Sequence, residues 1–495
     1  MGAIPGLTAT MAVALLIPIT FFLDPISALG AIVALEACAI FAGDIPAALV
    51  RMPGTPSSAA YVDDSYLLVR RGRQTEVFGV SLIFSVVGGL IGAAVLITSA
   101  PLVAKIAFKF TTYEYFWLYL IGLSCAAVVS QGSRLKGTLS LLIGLIFSTV
   151  GLSEVHSAPR FTFGRDELIA GIDFISAMIG LFGFSEVLRN VLWFERGSGA
   201  IIQEDLHSQG KPVGGLMYRH LWKPFKVMVQ AALPLLWIRK LHVLLSSLIG
   251  TLVGILPGAG ADIAAWISFG ISRRLSKKPE EYGRGSLEGL GDSTAANNSA
   301  LAGAWIPALV FGIPGDSITA IVIGVLLMKN ITPGPQIFTN PRQATLAYGL
   351  YIMFILANLL LIPLGYLAIR AGNMLVRMPR RMLVPIILLF CIVGSYAING
   401  SYFDVGIMML MGVLGFLLEL KQVPLGPLVL GIVLGGKLEQ SFIQCMTKSD
   451  SLADFFARPL AAFLGLICLL LWFYPLLASI RRRLPPQPEA PLAEK

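Results

Sequence analysis

Long apolar stretches separated by short polar turns run through the whole chain, at residues 7–23, 26–50, 76–104, 113–131, 136–153, 168–188, 241–270, 300–328, 344–372, 381–399, 403–420, 424–446 and 455–480. A helix needs about 20 apolar residues to cross a bilayer, so most of these stretches are long enough to span one. Several carry Pro or Gly at mid-depth, where a helix breaks or kinks. Merging broken stretches leaves about 11–12 transmembrane helices, and the expected fold is an all-α polytopic membrane protein. The main polar interruption, residues 189–240, carries Arg189, Arg196, Lys211, Arg219, Lys223, Lys226, Arg239 and Lys240. It divides the chain into a first membrane repeat (1–188), a basic cytoplasmic or interfacial connector (189–240) and a second membrane repeat (241–484), followed by a Pro- and Ala-rich tail (485–495) expected to be disordered and cytoplasmic.

Composition agrees with this reading. Of 495 residues, 56% are hydrophobic and 13% charged, about half the charge of an ordinary soluble domain. That excludes a water-soluble globular protein, and the apolar content excludes a disordered one. The net charge of +9 sits mostly in basic clusters between apolar segments, such as Arg70-Arg71-Arg73, Arg273-Arg274, Arg377-Arg380-Arg381 and Arg481-Arg482-Arg483. Such clusters mark cytoplasmic loops rather than a nucleic-acid surface, and they place the C-terminus in the cytoplasm. The five cysteines show no metal or disulfide spacing. No basic n-region precedes the first apolar run, so insertion would rely on the membrane segments themselves.

The chain also repeats itself. GAIPGLTA at residues 2–9 returns as GILPGAGA at 254–261, and AGDIPAALVRMPG at 42–54 returns as AGAWIPALVFGIPG at 302–315. The turn between the motifs holds RRLSKK in the second copy and no basic residue in the first, Leu23-Asp24-Pro25. By the charge rule the copies are inverted in the membrane, the arrangement of secondary transporters. The repeat also calls for a helix matching Leu241 to Thr251 ahead of residue 2, so the sequence reads as begun late, through a misassigned start or a truncation.

Candidate chemistry gathers at four breaks, Pro5-Gly6, Pro53-Gly54, Pro257-Gly258 and Pro314-Gly315. Each should end one half-helix and begin another, and broken helices at membrane depth persist where they face protein or a wet cavity. Hydroxyl and amide residues lie beside them: Thr55, Ser57 and Ser58; Asp316, Ser317 and Thr319; Asn297, Asn298 and Ser299. Half-helix N-termini suit a substrate carboxylate, and unwound carbonyls, here those of Gly258 and Gly260, suit Na⁺. Kinks used for packing alone are the alternative. Among the acids in apolar sequence, Glu36, Asp44 and Asp316 are candidates for protonation or cation coupling; Asp44 paired with Arg51 is the structural alternative. Gly289-Leu290-Gly291-Asp292 matches the GxGD pattern of intramembrane aspartyl hydrolases, with Asp292 and Asp316 as the conceivable dyad. His156, His207, His220 and His242 lack ligand spacing, and Trp193, Trp222 and Trp237 fit interfacial helices.

At these motifs the chain resembles a known family. GTLVGILPGAGADIAAW, GRGSLEGLGDSTAANNSALAGAWIPALVFGIPGDSITAIVIGVLL and IPAALVRMPGTPSSAAYVDDSYLLVRRG are similar to the large membrane subunit of tripartite tricarboxylate transporters, the TctA type, and the likeness runs through nearly the whole sequence. The resemblance implies import of an organic carboxylate across the bacterial inner membrane by Na⁺ or H⁺ symport. No resident cofactor is called for. It implies two partners, a small four-helix membrane subunit (TctB-like) and a periplasmic solute-binding protein (TctC-like). It also implies that the Pro-Gly and Asn-Asn motifs line the translocation site. This chain departs from the family pattern at Asp44, Asp292, Ser293-Thr294, Ser65-Tyr66-Leu67 and Asp316, several of them neutral positions made acidic. The added acids disfavour a highly charged anion such as citrate unless a cation or proton accompanies it. A transport-inactive relative is the remaining alternative.

Overall fold

The computed structural model describes residue 3 and residues 8–129, 133–153, 158–195, 222–376, 380–449 and 451–483. Pro5-Gly6, residues 196–221 of the connector, His156, His207, His220 and the tail from 484 lie outside these. The chain is helical almost throughout. In order it forms α1 (Ala9–Thr20), α2 (Pro25–Ala42), α3 (Asp44–Val50), a short 3₁₀ turn (Ser57–Ala60), α4 (Val62–Arg70), α5 (Gln74–Ala107), α6 (Thr112–Val129) and α7 (Arg134–Ser148). A two-stranded antiparallel ribbon follows, β1 (Gly151–Leu152) with β2 (Pro159–Arg160). Then come α8 (Phe174–Met178), continued through a π-helical stretch (Ile179–Phe184) into α9 (Ser185–Glu195), and α10 (Trp222–Ile238), α11 (Lys240–Ile255), α12 (Gly260–Leu275), α13 (Leu287–Phe311) and α14 (Ser317–Met328). The chain ends with α15 (Pro341–Val376), α16 (Arg380–Asn399), α17 (Tyr402–Leu420), α18 (Leu425–Lys448) and α19 (Pro459–Arg483).

Five helices among the described residues are long and apolar enough to cross a membrane singly, six if the pair α10 and α11, bent by 86° at Arg239, is taken as one. The larger number expected from the sequence came from apolar stretches that here form shorter or broken helices, such as α1 and α14. Two boundaries differ in kind. The stretch 241–270 is divided at Leu256–Ala259 into α11 and α12. The stretch 300–328 is divided between Phe311 and Ser317, and its first helix begins well upstream, at Leu287. AANNSA therefore lies inside a continuous helix, not at an unwound end: Ser286 caps α13 by accepting the Gly289 N–H at 3.0 Å, and the small residues that follow keep the helix regular.

That helix is the centre of the molecule, with every residue from Gly289 to Val310 buried. In lipid no hydrophobic force draws helices together, so close packing has to do it, and small residues permit the approach. Gly88 and Gly92 of α5 lie against the backbone of Ala295 and Ser299, Gly250 and Gly254 of α11 against the carbonyls of Ala296 and Ala300, and Gly303 against the carbonyl of Thr251. In contrast, α15, α16 and α19 turn out Leu359, Leu360, Leu364, Leu389, Leu466 and Phe473, an apolar outer surface suited to lipid.

Candidate functional site

Three of the expected breaks meet although they are far apart in the sequence. The Gly258 N–H donates to the Gly315 carbonyl at 2.8 Å, joining the α11–α12 break to the α13–α14 break. The segment after Pro53-Gly54 reaches the same place: the Ser57 N–H donates to Asp262 Oδ1 at 3.0 Å, in the first turn of α12. From α13, Asn297 Nδ2 donates to Ser57 Oγ at 2.9 Å.

The local geometry follows from the residues. Gly258 holds a left-handed φ of +81°, and a Cβ there would stand 2.6 Å from the Ala126 Cα. A Cβ on Gly315 would lie 2.6 Å from the Gly254 carbonyl oxygen, so nothing larger than Gly lets this backbone pass α11. Pro314 removes a helical N–H at the same turn. Asp316 then caps α14: its Oδ1 accepts the Thr319 N–H at 2.8 Å, while Thr319 Oγ1 accepts the Asp316 N–H at 2.9 Å. This reciprocal box satisfies N–H groups that a helix start leaves free. Ser317 is the first residue of α14. In the earlier segment Thr55 and Ser57 share a hydroxyl contact of 2.9 Å, Ser58 Oγ donates to the Thr55 carbonyl at 2.8 Å, and the Gly54 N–H donates to the Gly43 carbonyl at 3.1 Å. Thr55, Ser57 and Ser58 are all buried.

Several sequence expectations are redirected. Asn297 and Asn298 do not act together. Only Asn297 touches the convergence; Asn298 lies on another face of α13, where its Nδ2 donates to the Ser85 carbonyl at 2.7 Å and to Asn358 Oδ1 at 3.0 Å. Asp44 does not pair with Arg51. It accepts the Tyr61 hydroxyl at 2.6 Å and the Ser81 hydroxyl, while Arg51 pairs with the exposed Asp63 at 2.7 Å. Glu36 accepts the Trp305 indole N–H at 3.2 Å. Asp292 is buried beside Arg239, 2.5 Å away, and Ser272 donates to the same carboxylate. Since Asp292 meets Ser272 and Asp316 meets Gly260, the two acids stand roughly 18 Å apart along α12. They cannot share a proton, and the aspartyl-dyad reading loses its geometry.

The sequence reading passed over Asp262 and Tyr61. Asp262 stands two residues past Gly260 in a stretch read as one apolar span, and an acid in a first helical turn is easily taken for a dipole partner. Beyond the Gly258 contact with Gly315, the Gly258 and Gly260 backbones are both left-handed, with φ of +81° and +60°. Among the described residues no group of three or more His, Cys, Asp or Glu could hold a metal ion.

Broken helices converging on a buried polar centre in a polytopic helical protein are an arrangement found in membrane transport proteins. The comparisons agree: residues 1–430 match the tripartite tricarboxylate transporter TctA family, and the chain belongs to it. It is 33% identical over 485 residues to an uncharacterised 52.8 kDa protein of the TAR-I ttuC′ 3′ region of Agrobacterium vitis, covering 97% of this chain and 92% of that one. A second uncharacterised protein, of the TAR-II ttuC′ 3′ region of the same organism, is 37% identical over 236 residues, 47% of this chain and 97% of the relative. No solved structure matches the chain.

Proposed function

We propose that this chain is the large transmembrane subunit of a tripartite secondary transporter that imports an organic carboxylate across the bacterial inner membrane by symport with Na⁺ or H⁺. A small four-helix subunit and a periplasmic solute-binding protein complete the system, and the C-terminus lies in the cytoplasm. The two halves are inverted repeats, each contributing a break to one site. The observation that carries this reading is Ser57: it receives Asn297 on its hydroxyl and gives its N–H to Asp262, so a break in the first half is tied to two helices of the second. Membership of the family supports the same role.

In this reading the substrate carboxylate meets the backbone N–H groups at Gly54-Thr55 and Gly315-Asp316, with Thr55, Ser57, Asn297, Ser317 and Thr319 supplying hydrogen bonds. Carbonyls at Gly258 and Gly260 are available to the coupling cation. Asp44, Asp262 and Asp316 around the centre repel a naked anion, so a cation or proton enters with it. Proteoliposome uptake with both cognate partners tests the reading. Thr55→Ala and Asn297→Ala should each lower uptake at least about tenfold, the cost of one or two lost hydrogen bonds to a charged ligand. Unchanged uptake of an established substrate would overturn the assignment of the site. A wild-type complex that moves no carboxylate at all would identify a transport-inactive relative.

A further inference from the structure

The buried and half-buried acids near the centre differ in what occupies them. Glu36 holds an indole N–H, Asp44 two hydroxyls, Asp316 its own helix cap, and Asp292 a guanidinium. Asp262 holds only neutral donors, both from Ser57, its main-chain N–H and its side chain, and has no ion-pair partner among the described residues. Facing it across the same serine, Asn297 is 1% exposed, with its amide nitrogen engaged by Ser57 and its Oδ1 buried without a hydrogen-bond partner. One helical turn back on α13, the Ser293 hydroxyl is buried and equally unpartnered. Both side chains are held by the same serine, so the carboxylate and the amide with its unpartnered oxygen are neighbours of one residue, and a buried oxygen left without a donor is unfavourable. A cation that binds oxygen balances the carboxylate's charge and gives the amide oxygen's lone pairs a partner.

We propose that Asp262, Asn297 Oδ1 and the hydroxyls of Thr55 and Ser57 form a binding site for one Na⁺ ion. The donor set is all oxygen, as a hard cation requires. With a single carboxylate in it, charge balance selects a monovalent ion; a divalent ion is ordinarily held by more acids. Asp316 stands next to the site, its Cβ 3.2 Å from where a Gly260 Cβ would be, and adds attraction without joining the donor set. Because the ligands come from the segment after Pro53-Gly54, from α12 and from α13, the ion ties together the pieces that form the carboxylate site. Ion binding stands on these contacts alone; its use as the coupling step rests on the transport reading above.

The experiment uses the purified full-length subunit in detergent, with NaCl replacing choline chloride at constant ionic strength. A ligand that binds only the folded state raises the unfolding midpoint with its concentration. The wild type should show a saturable Na⁺-dependent rise, and Asp262→Asn or Asn297→Ala should move half-saturation upward at least about tenfold, with Asp262→Glu intermediate. No Na⁺ dependence in the wild type, or the same dependence in Asp262→Asn, would overturn the site; so would a midpoint that follows pH and ignores Na⁺. If Asp262→Asn does not fold, the wild type and Asn297→Ala decide. The two readings fail separately. Carboxylate uptake by the complex without a Na⁺ response in the subunit removes this site and leaves transport. A Na⁺ response without any carboxylate uptake removes transport and leaves the site.

Discussion

At its C-terminal end α12 meets Asp292, and at its N-terminal end it carries Asp262 and approaches Asp316. The first end carries its own fixed cation. Arg239, at the bend between α10 and α11, bonds both Asp292 and Glu288, the latter at 2.6 Å; Ser272 and Tyr282 share a contact of 2.7 Å, and Ser276 donates to Glu288 at 2.8 Å. Among the described residues the second end has hydroxyls, amides and backbone groups around its acids, and no Lys or Arg forms an ion pair with Asp262 or Asp316. Buried acids with a fixed cation belong to the scaffold, whereas buried acids without one leave a place for a cation that comes and goes. Low charge content alone does not separate these cases; the partner does.

The sharpest way to break this contrast is at Arg239. Arg239→Leu leaves Asp292 buried and unpaired, which should cost about 3–5 kcal/mol. The thermal midpoint would read it, and Arg239→Leu combined with Asp292→Leu should recover much of the loss. If the single variant is as stable as wild type, the network is not structural. The next largest effect is expected at Gly258→Ala, where overpacking against Ala126 costs about 1–3 kcal/mol and left-handed strain about 1–2 more. Monodispersity and midpoint in detergent measure it.

Asn297 and Asn298 sharpen the comparison on one helix. Asn298→Ala should lower stability by about 1–2 kcal/mol through its lost bonds to Ser85 and Asn358, shifting the midpoint. Asn297→Ala should move the midpoint less and uptake more. Equal behaviour of the two would show that α13 does not divide scaffold from site. The smallest effect belongs to Arg160–Glu439, a 2.7 Å pair with side chains 31% and 26% exposed, joining the β-ribbon to α18. Such pairs contribute at most about 1 kcal/mol, so Arg160→Ala calibrates what a partly solvated pair is worth beside Arg239.

The break positions were legible in the sequence because Pro and Gly act on their own backbone. Pro53-Gly54, Pro257-Gly258 and Pro314-Gly315 each fall between helices, and Thr55, Ser57 and Asn297 lie where the hydroxyl and amide clusters pointed. Helix phase was not legible: adjacent asparagines point about 100° apart, and nothing local says which faces Ser57. Nor was the partner of Asp292, since Arg239 reaches it only through the bend before α11. Asp262 had a visible signal, an acid two residues past a Pro-Gly-Ala-Gly turn, but the apolar sequence around it hid the start of a helix.

The glycine contacts along α13 have a mechanical consequence. Where glycine Cα atoms rest on the carbonyls of a neighbouring helix, a slip by part of a residue drives backbone into backbone. Helices α5, α11 and α13 therefore form a stiff beam, contacted through Gly88, Gly92, Gly250, Gly254 and Gly303. Any rearrangement that opens the centre to one side or the other falls to the parts hinged on that beam, the Ser57–Ala60 turn and α14.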